Sequence, residues 1–471
     1  MNILLVQQDE GVRAYHIPLY PIGLSYIALA LRAHNVRIFN PNSFEYPQSL
    51  EELRKEIVRF NPDVVGLSIR NLDTTQRRDP YIQYKTVRPT ITAIRQTCAN
   101  AKIIVGGSGF SLYAMEIMNR ITEIDFGVYL EGDEAIVELL DNLDKPETVK
   151  GIFYRKNNGT GSNITASEAI FTGPRPTPDF SSIPMPRRDP QVIDIKGYIG
   201  DYYNILGVQS KRGCVFKCTY CSYPFLNNES IRIRPPVEVV DEIEHMIVNY
   251  GLKSFVFVDS VFNLPQRHAQ EICNEILRRK LQIKWGAWIT PKMLTVDFMH
   301  LMRQAGCVHV GFSPDAVTDE GLRYLQKGIT YKEVINSIEV MRKTKGVVAT
   351  YNFFCAYPGM NLRAVLRTIY LYFKIPLYIF ARASVGLGWI RIEPHTAVYD
   401  TALKEGIITE GLDMLPEKEE DLLRLFYVPK RLWWATRAFD ILAFLADDFI
   451  KPVGRAAFRI VNRLKGQRTA V

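Results

Sequence analysis

The sequence predicts an α/β protein made of two parallel-sheet units in series. A doubly wound, Rossmann-like domain is expected over residues 1–145, a connector over 146–195, a partial (β/α)6 barrel over 196–400 and a helical, basic region over 401–471. Three observations carry this reading. Short apolar runs alternate with helical patterns through the first 145 residues, the pattern of a parallel sheet covered on both faces. The stretch PRPTPDFSSIPMPRRDP then packs six prolines into seventeen residues, which suits an extended crossing between domains. From about residue 196 the alternation resumes, with six further strand-helix units.

In the first unit the strand candidates are NILLV (2–6), VRIFNP (36–41), DVVGLSI (63–69), KIIVGG (102–107) and DFGVYL (125–130), separated by helical patterns such as LEELRKEIVRF. Ligands bind such sheets beyond the carboxyl ends of the strands. The candidate binding residues are therefore Arg70 and Asn71 after the third strand, Gly106, Gly107, Ser108 and Gly109 after the fourth, and Glu131 after the fifth. The glycines either let the backbone approach a bulky ligand or simply make a tight turn. In the connector, GIFYRKNNGTGS reads as a hairpin.

Barrel strands are expected at 203–209, 254–259, 284–289, 309–313, 350–357 and 384–392. Between the first two, PVEVVDEIEHMIVNYG places Val240, Ile243, Ile247 and Tyr250 on one helical face, with Gly251 closing the helix. TVDFMHLMRQAG follows the same grammar, Thr295 as N-cap and Gly306 at the end. The chemistry of a parallel barrel sits at the carboxyl ends of its strands.

Composition narrows the setting. Cys98, Cys273, Cys307 and Cys355 are scattered singly, the pattern of core thiols in a reducing compartment, and a cytoplasmic protein is expected. The N-terminus does not read as a signal peptide, and no run of 18 uncharged apolar residues predicts a spanning helix. Residues 430–471 hold nine Lys or Arg against three Asp, so most of the formal charge of +8 belongs to the end of the chain and the body is nearly balanced. That placement argues against a nucleic-acid partner, whose groove would carry the positive charge.

The remaining three cysteines, Cys214, Cys218 and Cys221, fall within KRGCVFKCTYCSYPF, directly after the first barrel strand. Thiolates spaced Cys-x3-Cys-x2-Cys can each hold one iron of a [4Fe-4S] cube. The fourth iron is left open to a substrate or cofactor. A structural zinc site would want a fourth ligand, and His245 and Cys273 lie far along the chain in helical patterns.

The spacing, its place in the barrel and Tyr220 before the last cysteine resemble the radical S-adenosylmethionine (SAM) superfamily. PIGLSYIALAL after the first strand, GGSG after the fourth, EGDEA after the fifth, DFSSIPMPRRD in the connector and LRYLQKGIT in the barrel extend the likeness to the cobalamin-binding, class B type methyltransferase-like members, up to about residue 410. The resemblance implies that SAM chelates the open iron through its amino and carboxylate groups. An electron from the cluster then releases a 5'-deoxyadenosyl radical that takes a hydrogen atom from substrate. It further implies cobalamin, a second SAM as methyl donor, and an electron donor of flavodoxin or ferredoxin type. Asp259 and Ser260 after the second barrel strand, and Ser313 and Asp315 after the fourth, stand where the family contacts SAM, although its usual Glu-Ser pair is absent from the latter strand.

Cobalamin domains that ligate cobalt through histidine carry Asp-x-His-x-x-Gly after the first strand. Here the loop reads QQDEGVRAYHIP, so no histidine is expected on cobalt, and His16 is read as a loop or interface residue. Arg70 and Asn71 are expected to face the lower side of the corrin, the alternative for Arg70 being an ion pair with a loop carboxylate such as Asp73. Cys355 sits among Phe353, Phe354, Ala356 and Tyr357, which favours a buried apolar position over a second catalytic thiol. Arg455, Arg459 and Arg463 share a helical face at the C-terminal end. This helix either packs on the barrel or makes a peripheral contact with the inner membrane surface.

The expected function is a cobalamin-dependent radical SAM methyltransferase acting on an unactivated carbon of a secondary metabolite or lipid. A cyclase or carbon-coupling enzyme with the same cofactors is the alternative. A non-enzymatic cobalamin or redox sensor gives no reason for an open iron site in a barrel.

Overall fold

The computed structural model describes residues 1–11, 19–156, 168–200, 205–380 and 382–444. Its first sheet begins with β1 (Asn2–Gln7), β2 (Asn35–Phe39), β3 (Val64–Ser68), β4 (Lys102–Gly106) and β5 (Phe126–Val128), all parallel in the order β2-β1-β3-β4-β5. Ile3, Leu4, Leu5 and Val6 are buried in succession, because helices cover both faces. One of these, Gln48–Phe60, turns Leu53, Ile57 and Phe60 inward and ends at Asn61 in the left-handed region.

The hairpin expected in the connector joins this sheet. Strands β6 (Ile152–Arg155) and β7 (Ala169–Phe171) continue it antiparallel beyond β5. Aromatic packing explains the pairing: Phe153 stacks on Phe171 with ring centroids 4.8 Å apart and meets Phe110 edge-on at 6.1 Å. The two added strands also cover what would otherwise be an open edge at β5. The sheet therefore runs past residue 145.

Strand β8 (Gly207–Val208) opens the second sheet. After a short antiparallel hairpin of β9 (Lys211–Gly213) and β10 (Ile231–Ile233) come β11 (Ser254–Phe257), β12 (Lys284–Ile289), β13 (Cys307–Asp315), β14 (Val348–Phe354) and β15 (Ala383–Gly388). The six strands β15-β14-β13-β12-β11-β8 are all parallel, the expected partial barrel. Phe257, Phe262 and Trp285 fill its core with centroids 4.4–5.1 Å apart, and Trp285 Nε1 donates to Ala305 O at 2.7 Å.

Helix ends follow the sequence signals. Thr295 caps Val296–Gln304 by accepting from Phe298 N at 3.2 Å, and Gly251 closes Pro236–Tyr250 with φ +68°. The latter helix buries Val239, Val240, Ile243 and Met246, while Ile247 and Tyr250 of the expected stripe are half-buried. Glu242 explains the rotation, because it too faces inward, onto two arginines. No helix among the described residues is long and apolar enough to cross a membrane. His16 and the Arg455, Arg459 and Arg463 face lie outside the described residues.

Candidate active site

The cysteine loop starts where β9 ends. Gly213 has φ +88°, and a Cβ there would lie 1.8 Å from Ser230 O, so only glycine lets the loop leave the β9-β10 hairpin. Cys214, Cys218 and Cys221 follow, all half-buried free thiols. Burial raises Cys218 and pushes Cys221 up to about 12, so these two thiols must give up protons when they bind metal at neutral pH.

Two buried devices anchor this loop. Asp259 accepts from Ser210 N at 2.8 Å, Lys211 N at 3.1 Å and Ser210 Oγ, and its side chain has no exposed surface. The expected SAM contact is therefore corrected. Its oxygens point back into the β8-β9 corner and hold the chain that delivers the cysteines. Glu242 forms the second device. It pairs with Arg188 Nη2 at 2.5 Å and Arg234 Nη1 at 2.6 Å, and the two arginines donate to Gly207 O and Gln209 O on either side of β8.

Asp315 does line the barrel cavity, but its carboxylate is already engaged there. It sits at φ +67° at the end of β13, accepts from the Tyr220 hydroxyl and pairs with Lys327 Nζ at 2.6 Å. Lys327 also donates to Tyr220 Oη at 3.0 Å. Burial works against the charge of Lys327, but Asp315 and Cys218 outweigh it and hold the ammonium protonated. The triad fixes the aromatic ring between Cys218 and Cys221. Lys327 was missed in the sequence although LRYLQKGIT had been singled out; a lone lysine in that stretch was the available signal.

Ser313 lines a cavity of about 1000 Å³ at the carboxyl ends of the barrel strands, together with Cys221, Asn352, Gly386 and Gly388. Ser260 is half-buried beside Asp259 and is not part of this lining. Cys355 is buried, as its apolar neighbours suggested.

On the first domain, Arg70, Asn71, Ser108, Gly109 and Glu131 come together around a second cavity of about 390 Å³. The backbone N–H groups of Arg70 and Asn71 donate to Gln8 Oε1 at 3.0 Å each, which fixes their loop and leaves the Arg70 side chain exposed. Asp73, the partner suggested for Arg70, pairs instead with Arg391 Nε at 3.2 Å. Ser108 Oγ donates to Arg70 O at 3.1 Å. Glu131 lines this cavity with its carboxylate shared between Arg212 and Arg232 across the domain boundary.

The glycines divide by role. A Cβ on Gly107 would lie 2.5 Å from Ile69 O, and one on Gly109 2.9 Å from Arg70 O, so these two let neighbouring loops touch. Gly106, together with Gly107, lines a third, largely apolar cavity of about 280 Å³ with Gly66, Leu24, Ile27 and Val128. A Cβ on Gly106 would meet nothing closer than 3.5 Å and would project into that space.

These features test the implied cofactors. The three loop thiols are the soft donor set a cluster requires. Among the described residues no three His, Cys, Asp or Glu side chains gather closely enough to hold one metal ion. The apolar, glycine-lined cavity suits a displaced dimethylbenzimidazole, and the adjoining cavity at Arg70 suits a corrin edge. The first and second cavities share Thr75, Ser222, Tyr223 and Glu393. Glu393 accepts from Tyr113 Oη at 2.7 Å and has its other oxygen 4.0 Å from Arg391 Nε. Burial raises it, with Arg391 pulling the other way. Glu393 and Arg391 were also missed in the sequence, their one signal being charge inside the barrel's last strand and turn.

A cluster loop at the rim of a six-stranded parallel barrel defines the class, a radical SAM enzyme, and residues 208–371 match the Radical SAM superfamily. Residues 12–140 match the B12 binding domain. The chain belongs to the cobalamin-dependent radical SAM enzymes, and its cofactors are a [4Fe-4S] cluster, SAM and cobalamin. An uncharacterized methyltransferase of Pyrococcus horikoshii is 27% identical over 392 residues, 82% of this chain and 79% of that protein. The anaerobic magnesium-protoporphyrin IX monomethyl ester cyclase of Cereibacter sphaeroides is 27% identical over 314 residues, 63% of this chain but 47% of the cyclase. The radical SAM methyltransferase TsrM from Kitasatospora setae, solved with cobalamin and a [4Fe-4S] cluster bound, shares the fold with a TM-score of 0.69. That match is 22% identical and covers 87% of this chain and 79% of TsrM.

Proposed function

We propose that this enzyme transfers a methyl group to an unactivated carbon of a polar, metabolite-sized substrate. One observation supports the reading above the rest. The cavity over the cysteine loop and the cavity over the first sheet share four residues, so a substrate in the barrel mouth borders both cofactors. When bound, the cluster with SAM supplies a hydrogen-abstracting radical and cobalamin supplies methyl transfer.

The chain's own residues do the rest. Cys214, Cys218 and Cys221 hold the cluster, and Tyr220, fixed by Asp315 and Lys327, keeps their loop in one conformation. Ser313 offers a hydroxyl to SAM. Arg70, at the wall of the second cavity, would contact cobalamin and would keep water from its cobalt. Glu393 presents its second oxygen to a polar group of the substrate. Arg77, Arg78, Asp79, Arg391 and Glu393 all line the barrel cavity, and this charge favours a polar metabolite over the hydrocarbon of a lipid. A one-electron donor of flavodoxin or ferredoxin type reduces the cluster.

Methyl-labelled SAM and reductant, given to the reconstituted enzyme with and without cobalamin, test the proposal. Cobalamin-dependent release of S-adenosylhomocysteine alongside 5'-deoxyadenosine is expected. Deoxyadenosine with no S-adenosylhomocysteine under any condition would instead favour the cyclase or carbon-coupling reading, which the Cereibacter relative keeps open.

A further inference from the structure

The helix Leu362–Tyr378 connects β14 to β15 and packs against β15 through a face that includes Val365, Leu371, Tyr372 and Ile375. Its opposite face is also apolar. Leu362, Leu366, Tyr370, Phe373 and Leu377 are 44–78% exposed, and Phe380 just beyond the helix is 75% exposed. The intervals of four, four, three and four residues place the five helical side chains in one band about 80° wide at 3.6 residues per turn. Arg363, Arg367 and Lys374 fall together in the next 40° or so of the same helix. A helix packed on a core ordinarily shows polar residues to water. A contiguous apolar band in their place marks an interaction surface.

Charge selects the occupant. Between Leu362 and Tyr378 the chain has three Lys or Arg and no Asp or Glu. A second copy docked face to face would set this cationic segment against itself. Anionic lipid headgroups complement it, and an apolar stripe with basic residues along one flank is what an interfacial helix requires.

We propose that this face docks the enzyme on an anionic lipid surface. The Leu362–Leu377 stripe enters the boundary between headgroups and acyl chains, while Arg363, Arg367 and Lys374 meet lipid phosphates. The proposal rests on this helix alone, and neither the C-terminal arginine face nor a lipid substrate is needed for it.

Full-length protein is sedimented with vesicles of phosphatidylcholine alone or mixed with phosphatidylglycerol, at low and high salt. Two exposed-face variants accompany it, Leu366→Ser/Leu377→Ser and Arg363→Gln/Arg367→Gln/Lys374→Gln. Wild type is expected to bind the anionic vesicles and to release at high salt. The Gln variant should lose about a hundredfold in partitioning, from roughly one kcal/mol per basic residue at an anionic surface. The Ser variant should lose at least about tenfold, and both should cleave SAM like wild type. Absence of binding, or binding that neither variant weakens, would overturn the proposal. So would a wild-type dimer that the Ser variant dissociates with no lipid binding by either protein, since the face would then be a self-contact.

Discussion

Replacing Asp259 by alanine separates an anchor of the cysteine loop from a residue that touches SAM. The carboxylate accepts from Ser210 N at 2.8 Å, Lys211 N at 3.1 Å and the Ser210 hydroxyl, all buried. At about 1–3 kcal/mol for each orphaned buried donor the loss would reach roughly 9 kcal/mol if nothing relaxed. The Ser210 hydroxyl can rotate to another acceptor, and the corner can shift, which brings the expected cost to about 3–5 kcal/mol. Lys211 adds to it. Its ammonium rests on Phe262 O at 2.8 Å and Leu264 O at 3.0 Å and would lose the carboxylate 3.9 Å away. Against a total stability of about 5–15 kcal/mol this is a large local loss, and it falls directly before Cys214. The assay pairs thermal unfolding and iron content after anaerobic reconstitution with SAM affinity of the loaded fraction. Asp259→Ala should unfold earlier and hold less iron, while loaded molecules bind SAM like wild type. Asp259→Asn, which keeps one acceptor, should be intermediate. Normal stability and iron content with a tenfold or greater loss of SAM affinity would refute the anchor and restore the contact.

Changing Cys214, Cys218 and Cys221 together to alanine should abolish both the cluster absorbance and SAM cleavage; persistent 5'-deoxyadenosine would defeat the cluster assignment. Burial holds Cys218 and Cys221 protonated above their ordinary range, and iron binding must expel those protons, so cluster loading should rise from about pH 7 to about pH 8.5. A flat profile of iron content would contradict this. Arg70→Ala should open the lower side of bound cobalamin to water and alter its electron paramagnetic resonance spectrum, and an unchanged spectrum would place Arg70 elsewhere. Glu242→Gln leaves Arg188 and Arg234 buried beside a neutral partner, at a cost of about 3–5 kcal/mol read by chemical denaturation. A loss below about 1 kcal/mol would show the triad to be dispensable.

The cysteine loop was legible in the sequence, because three thiols within eight residues are a local pattern that needs no partner from elsewhere. Both parallel sheets were legible too, since strand and helix periods are local. The partners of the two aspartates were hidden for a physical reason. A carboxylate at the end of a barrel strand can point into the cavity or back into the corner, and only the partner decides. For Asp259 that partner lies 48 and 49 residues earlier in the chain, and for Asp315 it is Tyr220, 95 residues earlier. Arg391 and Asp73 are 318 residues apart and join the two domains at the shared cavity wall, and Glu393 gains its place beside Tyr113 over 280 residues. The exposed stripe on Leu362–Tyr378 was hidden as well, because apolar residues on two faces of a helix read as core until one face is seen to be exposed. Sequence thus determined which cofactor chemistry this chain can carry. Tertiary structure decided which charged side chains reach the cavities and which hold the loops in place, because burial in a low-dielectric interior commits a charge to whichever partner the fold brings within reach.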